Sequence, residues 1–276
     1  MRKIIIPVDF SNCSEYDCKT ASKIARKTDS EIHLLHMIEI PGGVINAEMK
    51  NNFSISEKIN YLRGIRDQML DYKERFFKKN KVVKHAIKFE PPYKGIKRYA
   101  KKISADLIVM GSKGHSKLDE IIVGSNTERT VRTSKIPVLV VKNSKQTFNP
   151  KNIVFASDFS ERISSKNFKQ LVNFAEMFKS KIHLLKVNTP NNFQSSSLVM
   201  KKIRKFIKKH AVAKHNIHIY NDKSVENGIL NYSNDIDADV IGIGTHGRSF
   251  FAQIFNISVS KNITKRASRP ILTFKI

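Results

Sequence analysis

A chain of 276 residues is longer than one average domain and suits two domains of about 140 residues each. Apolar residues make up 40% of it, as in folded proteins, and no apolar run reaches the roughly 20 residues of a membrane span, so we expect no contact with a membrane. The net charge of +26 is spread evenly, since each half carries an excess of 13 basic over acidic side chains, and this argues against a dedicated nucleic-acid-binding arm.

The chain begins with an apolar tract, residues 2–9, that ends at Asp9. No small-residue cleavage site follows this tract, so it predicts a strand and not a signal peptide, and we expect a cytoplasmic protein. Further apolar runs then alternate with helical patterns, which predicts βαβ units and a parallel sheet. In the first half we predict strands near 2–9, 31–37, 82–88, 106–110 and 137–141, and helices near 14–28, 56–78, 92–103 and 126–133.

The longest predicted helix has apolar residues that step by three and four. Such spacing indicates a stripe on one face of the helix, buried against the sheet, and not a cofactor-binding motif. The stripe comprises Ile55, Ile59, Leu62, Ile65, Met69, Tyr72 and Phe76.

The second half of the chain repeats the first. Four blocks recur in the same order; IIIPVDFS at 4–11 returns as IVFASDFS at 153–160, and ADLIVMGSKGHS at 105–116 returns as ADVIGIGTHGRS at 238–249. A search for repeats precedes any other assignment, because a repeat defines the domain organisation. We predict an α/β protein with two doubly wound, five-stranded parallel-sheet domains, 1–143 and 151–276, joined by a linker at 144–150.

Glycine and polar residues follow the predicted strands of the first half, at the edge where open parallel sheets bind ligands. Gly111 and Gly114 are three apart, and Gly124 and Ser125 follow after nine further residues, at the start of a helix. Glycines let backbone N–H groups approach a phosphate, and a helix N-terminus favours an anion. We expect a β-branched residue at Gly124 to crowd the phosphates and to strain the backbone. The Ser125 hydroxyl either caps the helix or binds a phosphate.

The spacing G-x2-G-x9-G-[ST] is neither the Walker A pattern nor the dinucleotide fingerprint. Together with the Val-Asp end of the first strand and the terminal IPVLVV strand, it resembles the ATP-binding branch of the universal stress protein family over nearly the whole first copy. The resemblance implies a site for ATP, ADP or AMP, with Mg²⁺ at the phosphates. By this resemblance the base, ribose and phosphates meet Pro7, Val8, Asp9, Met37, Gly111, Gly114, His115, Gly124, Ser125 and Asn126.

Within that set, Pro7 and Val8 would line the base pocket, and the Met37 backbone would meet the adenine edge. Asp9 would lie near the ribose or the adenine edge, and Gly111 would approach the ribose. The remaining five residues would surround the phosphates. Two alternatives stay open: Asp9 as a turn residue, and His115 as a solvated loop histidine.

Function follows from the resemblance as an expectation. It implies a stress-response module whose nucleotide occupancy alters the surface offered to an unknown protein partner. No catalytic residue group is evident, so we expect at most a very slow ATPase. The alternatives are a nucleic-acid-associated basic protein and an adenylyl-transfer enzyme, although neither copy has the H-x-G-H signature of the latter. Neither the cysteines nor the histidines have the spacing of a metal site.

Dimers of the family associate through their last strands, which implies that strands 136–141 and 270–275 pair antiparallel within one chain. An apolar edge such as PVLVV also needs a partner. A further homodimer of such chains stays open. The second copy keeps Asp158, Gly244 and Gly247, but Ile257 stands where the motif calls for glycine, before Ser258. We therefore predict one nucleotide per chain, in the first copy.

Overall fold

A computed structural model describes residues 1–39, 55–112, 124–141, 148–159, 165–245 and 269–275. The described strands are β1 Lys3–Pro7, β2 Glu31–Met37, β3 Val83–Lys88, β4 Leu107–Gly111, β5 Val138–Val141, β6 Asn152–Ala156, β7 Lys181–Asn188, β8 His215–Asn221, β9 Val240–Thr245 and β10 Ile271–Lys275. The described α-helices are α1 Asn12–Thr28, α2 Ile55–Phe77, α3 Pro92–Lys102, α4 Ser125–Thr133, α5 Ser165–Phe178, α6 Ser196–His210 and α7 Val225–Asp235.

All ten strands belong to one sheet with the order β3-β2-β1-β4-β5-β10-β9-β6-β7-β8. Within each half the five strands are parallel, as the βαβ pattern predicted. The halves meet at β5 and β10, which pair antiparallel with Leu139 opposite Leu272. The predicted pairing of the last strands is therefore confirmed, and each strand covers the apolar edge of the other.

Equivalent side-chain contacts occur within each of the two halves, as an internal repeat predicts. Asp106 and Asp239 stand just before β4 and β9, and each accepts two hydrogen bonds from successive backbone N–H groups at the start of β1 and β6. Ser30 and Ser180 likewise precede β2 and β7, and each hydroxyl donates to a backbone carbonyl before the first strand of its half. The pseudo-twofold relation thus extends to side-chain contacts.

Helices cover both faces of the sheet, which is why the strands are apolar on both sides. Consecutive strand residues such as Ile4 and Ile5 are both fully buried, but they point to opposite faces of the sheet and belong to different apolar layers. One layer contains residues of α1, α2, α5 and α6, and the other contains residues of α3, α4 and α7. Each layer continues across the junction of the two halves.

The predicted strands and helices of the first half agree with the structure within two residues at each end, but the predicted stripe of α2 is partly wrong. Ile65, Met69 and Tyr72 are buried as expected, whereas Ile59 is 50% exposed and Phe77 is more deeply buried than Phe76. The 23 residues of α2 span about 35 Å, while the six residues of β3 span about 20 Å. The start of α2 therefore extends beyond the sheet that would bury it.

Candidate functional site

The candidate site lies at the carboxyl ends of β1 and β4, where the strand order of the first half reverses. From β1 the chain proceeds outward through β2 and β3, and then returns to the other side of β1 at β4. Open α/β sheets bind ligands in the crevice at such a switch point, since the loops diverge there. Asp9 follows β1, and Gly111 ends β4.

Asp9 forms a tight turn with the residues that start α1. Its Oδ1 accepts hydrogen bonds from the Ser11 backbone N–H at 3.1 Å and from the Ser11 hydroxyl at 2.6 Å. The Ser11 Oγ in turn caps α1 by accepting from the Ser14 N–H at 3.3 Å. Asp9 therefore has the role of a turn residue, which was one of the two alternatives, and its carboxylate is fixed at the edge of the crevice.

The base side of the predicted pocket lies at the ends of β1 and β2 and includes the residues that follow β1. Val8 is buried, and its carbonyl accepts a hydrogen bond from His36 Nδ1 at 2.8 Å. Burial lowers the pKa of His36, although the Val8 hydrogen bond and the charge of Asp9 act in the opposite direction. The Phe10 ring stacks on this imidazole with centroids 4.7 Å apart. These contacts form an aromatic layer beside Asp9.

Pro7 and Met37 are partly exposed at the same edge, at the ends of β1 and β2. Met37 packs against Gly95 of α3 so closely that a Cβ at this glycine would overlap the Met37 methyl group. Gly95 therefore sets the position of the Met37 side chain.

The phosphate side is organised by backbone hydrogen bonds around Ser112. Its N–H donates to the Val141 carbonyl at 3.0 Å, and its carbonyl accepts from the Gly124 N–H at 2.8 Å. Ser112 and Gly124, which flank residues 113–123, are therefore in direct contact, and this contact brings Gly111 and Gly124 close together. Gly114 and His115 fall outside the described residues.

Two expectations about the start of α4 are wrong. Gly124 precedes the helix with φ −54° and ψ 136°, which any L-residue adopts, so a side chain there would not strain the backbone. No side chain caps α4, so Ser125 is not a capping residue and its side chain is exposed in the first turn. Asn126 follows, partly exposed.

The structure adds two residues that the motif did not indicate, and both contact Gly111. Thr127 is buried, and its hydroxyl donates to the Gly111 carbonyl at 2.7 Å. Asp17 of α1 is 3% exposed and accepts a hydrogen bond from the Gly111 backbone N–H. Its signal in the sequence is an acidic residue on the buried face of α1, between Ser14 and Ala21.

The corresponding edge of the second half differs in charge. Asp158 follows β6 as Asp9 follows β1, but Lys186 occupies the position on β7 that His36 occupies on β2. Lys186 is 3% exposed; burial lowers its pKa, and the charge of Asp158 raises it. Gly244 lies within β9, whereas Gly247, Ile257 and Ser258 fall outside the described residues.

Among the described residues, no three His, Cys, Asp or Glu side chains are grouped as metal ligands. No helix in the described parts of the chain is long and apolar enough to cross a bilayer.

Comparison with known proteins gives a family match in both halves. The model of the universal stress protein family matches residues 1–142 and 149–275. Two relatives come from Methanocaldococcus jannaschii. Universal stress protein MJ0531 is 30% identical over 146 residues, which are 52% of this chain and 84% of the relative. Universal stress protein MJ0577 is 32% identical over 153 residues, 51% of this chain and 94% of the relative.

A solved structure has the same fold over its whole length. The universal stress protein from Archaeoglobus fulgidus superposes with a TM-score of 0.70 at 19% identity, covering 99% of this chain and 96% of that protein. At this identity the similarity concerns the fold.

Proposed function

Because this chain belongs to the universal stress protein family in both of its halves, we propose that it binds an adenine nucleotide at the carboxyl edge of β1 and β4. The proposed ligand is ATP or AMP. Occupancy of the site, and not turnover, would be its output in a stress response, through a protein partner that reads the altered surface. We also propose a cytoplasmic location and the domain limits 1–143 and 151–276.

One observation carries the proposal: the Gly124 N–H donates to the Ser112 carbonyl and so brings the first and third glycines of the motif together beside Asp9. The motif in the sequence would be weak evidence for a binding site if its glycines were far apart in space. Here they lie at the switch point of the sheet, where nucleotides bind in related architectures.

The donor groups at this place suit a phosphate. The first hydrogen bond within α4 joins the Glu128 N–H to the Gly124 carbonyl, so the N–H groups of Ser125, Asn126 and Thr127 have no acceptor inside the helix. They point toward the helix N-terminus, whose dipole favours an anion. The exposed Ser125 hydroxyl adds a further donor. A Mg²⁺ ion would enter with the phosphates of ATP.

We propose further that the second half does not bind nucleotide in this way. Lys186 supports this, because its buried ammonium lies close enough to Asp158 for each charge to stabilise the other. In the first half His36, whose pKa is lowered by burial, stands at the corresponding position on β2. Ile257 at the third glycine position supports the same asymmetry by sequence.

Titration calorimetry with ATP and with AMP, each with and without Mg²⁺, tests the proposal. Gly124→Val should weaken binding at least about tenfold, because its methyl groups would occupy the phosphate approach. Gly64→Val is the matched control, since a Cβ at Gly64 of α2 meets nothing within 4 Å. A folded Gly124→Val variant with the affinity of the wild type would refute the phosphate role.

A further inference from the structure

Asp17 is an acidic residue in an otherwise small or apolar helix face. The buried residues of α1 include Ser14, Cys18, Ala21 and Ile24, and Asp17 lies among them with 3% exposure. A carboxyl group at such a place costs free energy unless it is hydrogen-bonded or neutral. Its retention on a face that packs against β4 therefore needs an explanation.

The neighbours of Asp17 explain why an acidic residue stands there. One carboxyl oxygen accepts from the Gly111 N–H, while Oδ1 has no hydrogen-bond partner among the described residues. Thr127 holds the carbonyl of the same glycine. Gly111 is thus fixed from both sides of the sheet, by α1 through its N–H and by α4 through its carbonyl.

We propose that Asp17 is a positioning residue of the nucleotide site, which fixes the backbone of Gly111 at the end of β4. The proposal rests on the proposed function, since Gly111 is the first glycine of the nucleotide motif. Asp17 does not touch the nucleotide in this account. It acts through the Gly111 backbone, which would approach the nucleotide.

The protonation state of Asp17 belongs to this role. Burial raises the pKa of Asp17 well above its usual range; the Gly111 hydrogen bond lowers it, and the charge of Asp9 raises it. The other titratable groups around this end of α1 include Glu15 and Cys18 on α1 itself, His36 on β2, and Tyr72 and Arg75 on α2. Protonation of the second oxygen leaves the Gly111 hydrogen bond in place and removes a second negative charge from beside Asp9.

The second half of the chain offers an independent comparison. Ser30 and Ser180 each donate their backbone N–H to an alanine carbonyl at the end of α1 and α5, which sets the offset between these helices at 150 residues. At this offset Asn167 corresponds to Asp17. An asparagine has the same shape as the neutral acid and carries no charge, so we expect Asp17→Asn to keep the function.

Nucleotide affinity in three variants tests the role. Asp17→Asn should bind ATP within about threefold of the wild type, whereas Asp17→Ala should bind about tenfold more weakly, because the Gly111 N–H loses its acceptor. Affinity of the wild type should fall as the pH rises through the raised pKa of Asp17, and Asp17→Asn should lack this fall. Asp71→Asn and Asp71→Ala are matched controls, since Asp71 is an exposed residue of α2.

A second readout does not depend on nucleotide. With ¹⁵N-glycine labelling the spectrum contains at most 11 backbone glycine signals, and Gly111→Ala identifies the one of interest. The Gly111 amide signal should move as Asp17 titrates in the wild type and stay constant in Asp17→Asn. Equal affinities in the wild type and in a folded Asp17→Ala, or a Gly111 signal that moves identically in Asp17→Asn, would overturn the inference. A wild type that binds neither ATP nor AMP would instead refute the proposed function, and with it any role of Asp17 in binding.

Discussion

Acidification is expected to destabilise the protein in part through His183, a buried imidazole on β7. Its Nε2 lies 3.2 Å from the Asn152 Oδ1, which can only accept, so Nε2 carries the proton. Its Nδ1, 3.2 Å from the Tyr232 hydroxyl, then accepts. Burial first, and the charges of His218 and Lys181 second, lower the pKa of His183 from 6.5 to about 4.

The sign of the effect follows from this lowered pKa. Between pH values of about 4 and 6.5 the unfolded chain binds a proton that the folded chain does not. The stabilisation is therefore complete above the unfolded pKa and is lost as the pH falls toward the folded one. One pKa unit is worth about 1.4 kcal/mol, so the complete loss is about 3 kcal/mol, of which about 2 kcal/mol is already lost at about pH 5.

Urea unfolding of the wild type and of His183→Gln at about pH 7.5 and about pH 5 measures this contribution. The glutamine amide can still donate to Asn152 but does not titrate. The free energy of unfolding of the variant should therefore decrease less on acidification, by about 2 kcal/mol. His33→Gln is the matched control in the first half, where the Glu31 carboxylate lies 2.8 Å from His33 Nε2 and offsets part of the burial effect. An identical pH dependence in the wild type and His183→Gln would refute the reasoning.

Replacing the capping serines Ser11 and Ser224 by alanine should cost about 1 kcal/mol each in urea unfolding, because each hydroxyl accepts an N–H of its helix. Only Ser11→Ala should also weaken ATP binding in calorimetry, and equal affinity in both variants would count against Asp9 as part of the site. Gly228→Ala should destabilise the protein by about 1–3 kcal/mol, because the new Cβ would lie 2.5 Å from a methyl group of the stiff Val187 side chain. Gly95→Ala should destabilise the protein less than Gly228→Ala, because the flexible methionine at the end of β2 can move aside. Thermal melts in which Gly95→Ala unfolds at the lower temperature would contradict this.

Much of the fold could be predicted from the sequence because it depends on local periodicity. The strands β1, β4 and β5 contain continuous apolar runs, and the repeat itself indicated two similar halves. The resemblance to the family implied the pairing of β5 with β10, and the need of an apolar edge strand for a partner supported it. The exposure of Ile59 was not, because periodicity shows which face of a helix is apolar but not where the underlying sheet ends.

In the candidate site, too, some features could be predicted from the sequence and others could not. The motif indicated Gly111 and Gly124, whose spacing is local, and the structure places them together. The contact between Asp17 and Gly111 joins residues 94 positions apart on different elements, and only the tertiary structure reveals it. The same holds for Lys186, whose burial beside Asp158 depends on the packing of α5 against β7 and of α6 against β8. The backbone at Gly124 could not be predicted either, because glycine permits both strained and ordinary conformations.

The number of nucleotides bound per chain tests the central claim most directly. Equilibrium dialysis with labelled ATP should give one nucleotide per wild-type chain. Asp9→Ala should lose binding and Asp158→Ala should retain it, with thermal melts confirming that both variants are folded. Two equivalent sites per chain, or loss of binding in Asp158→Ala alone, would contradict the assignment of the site to the first half.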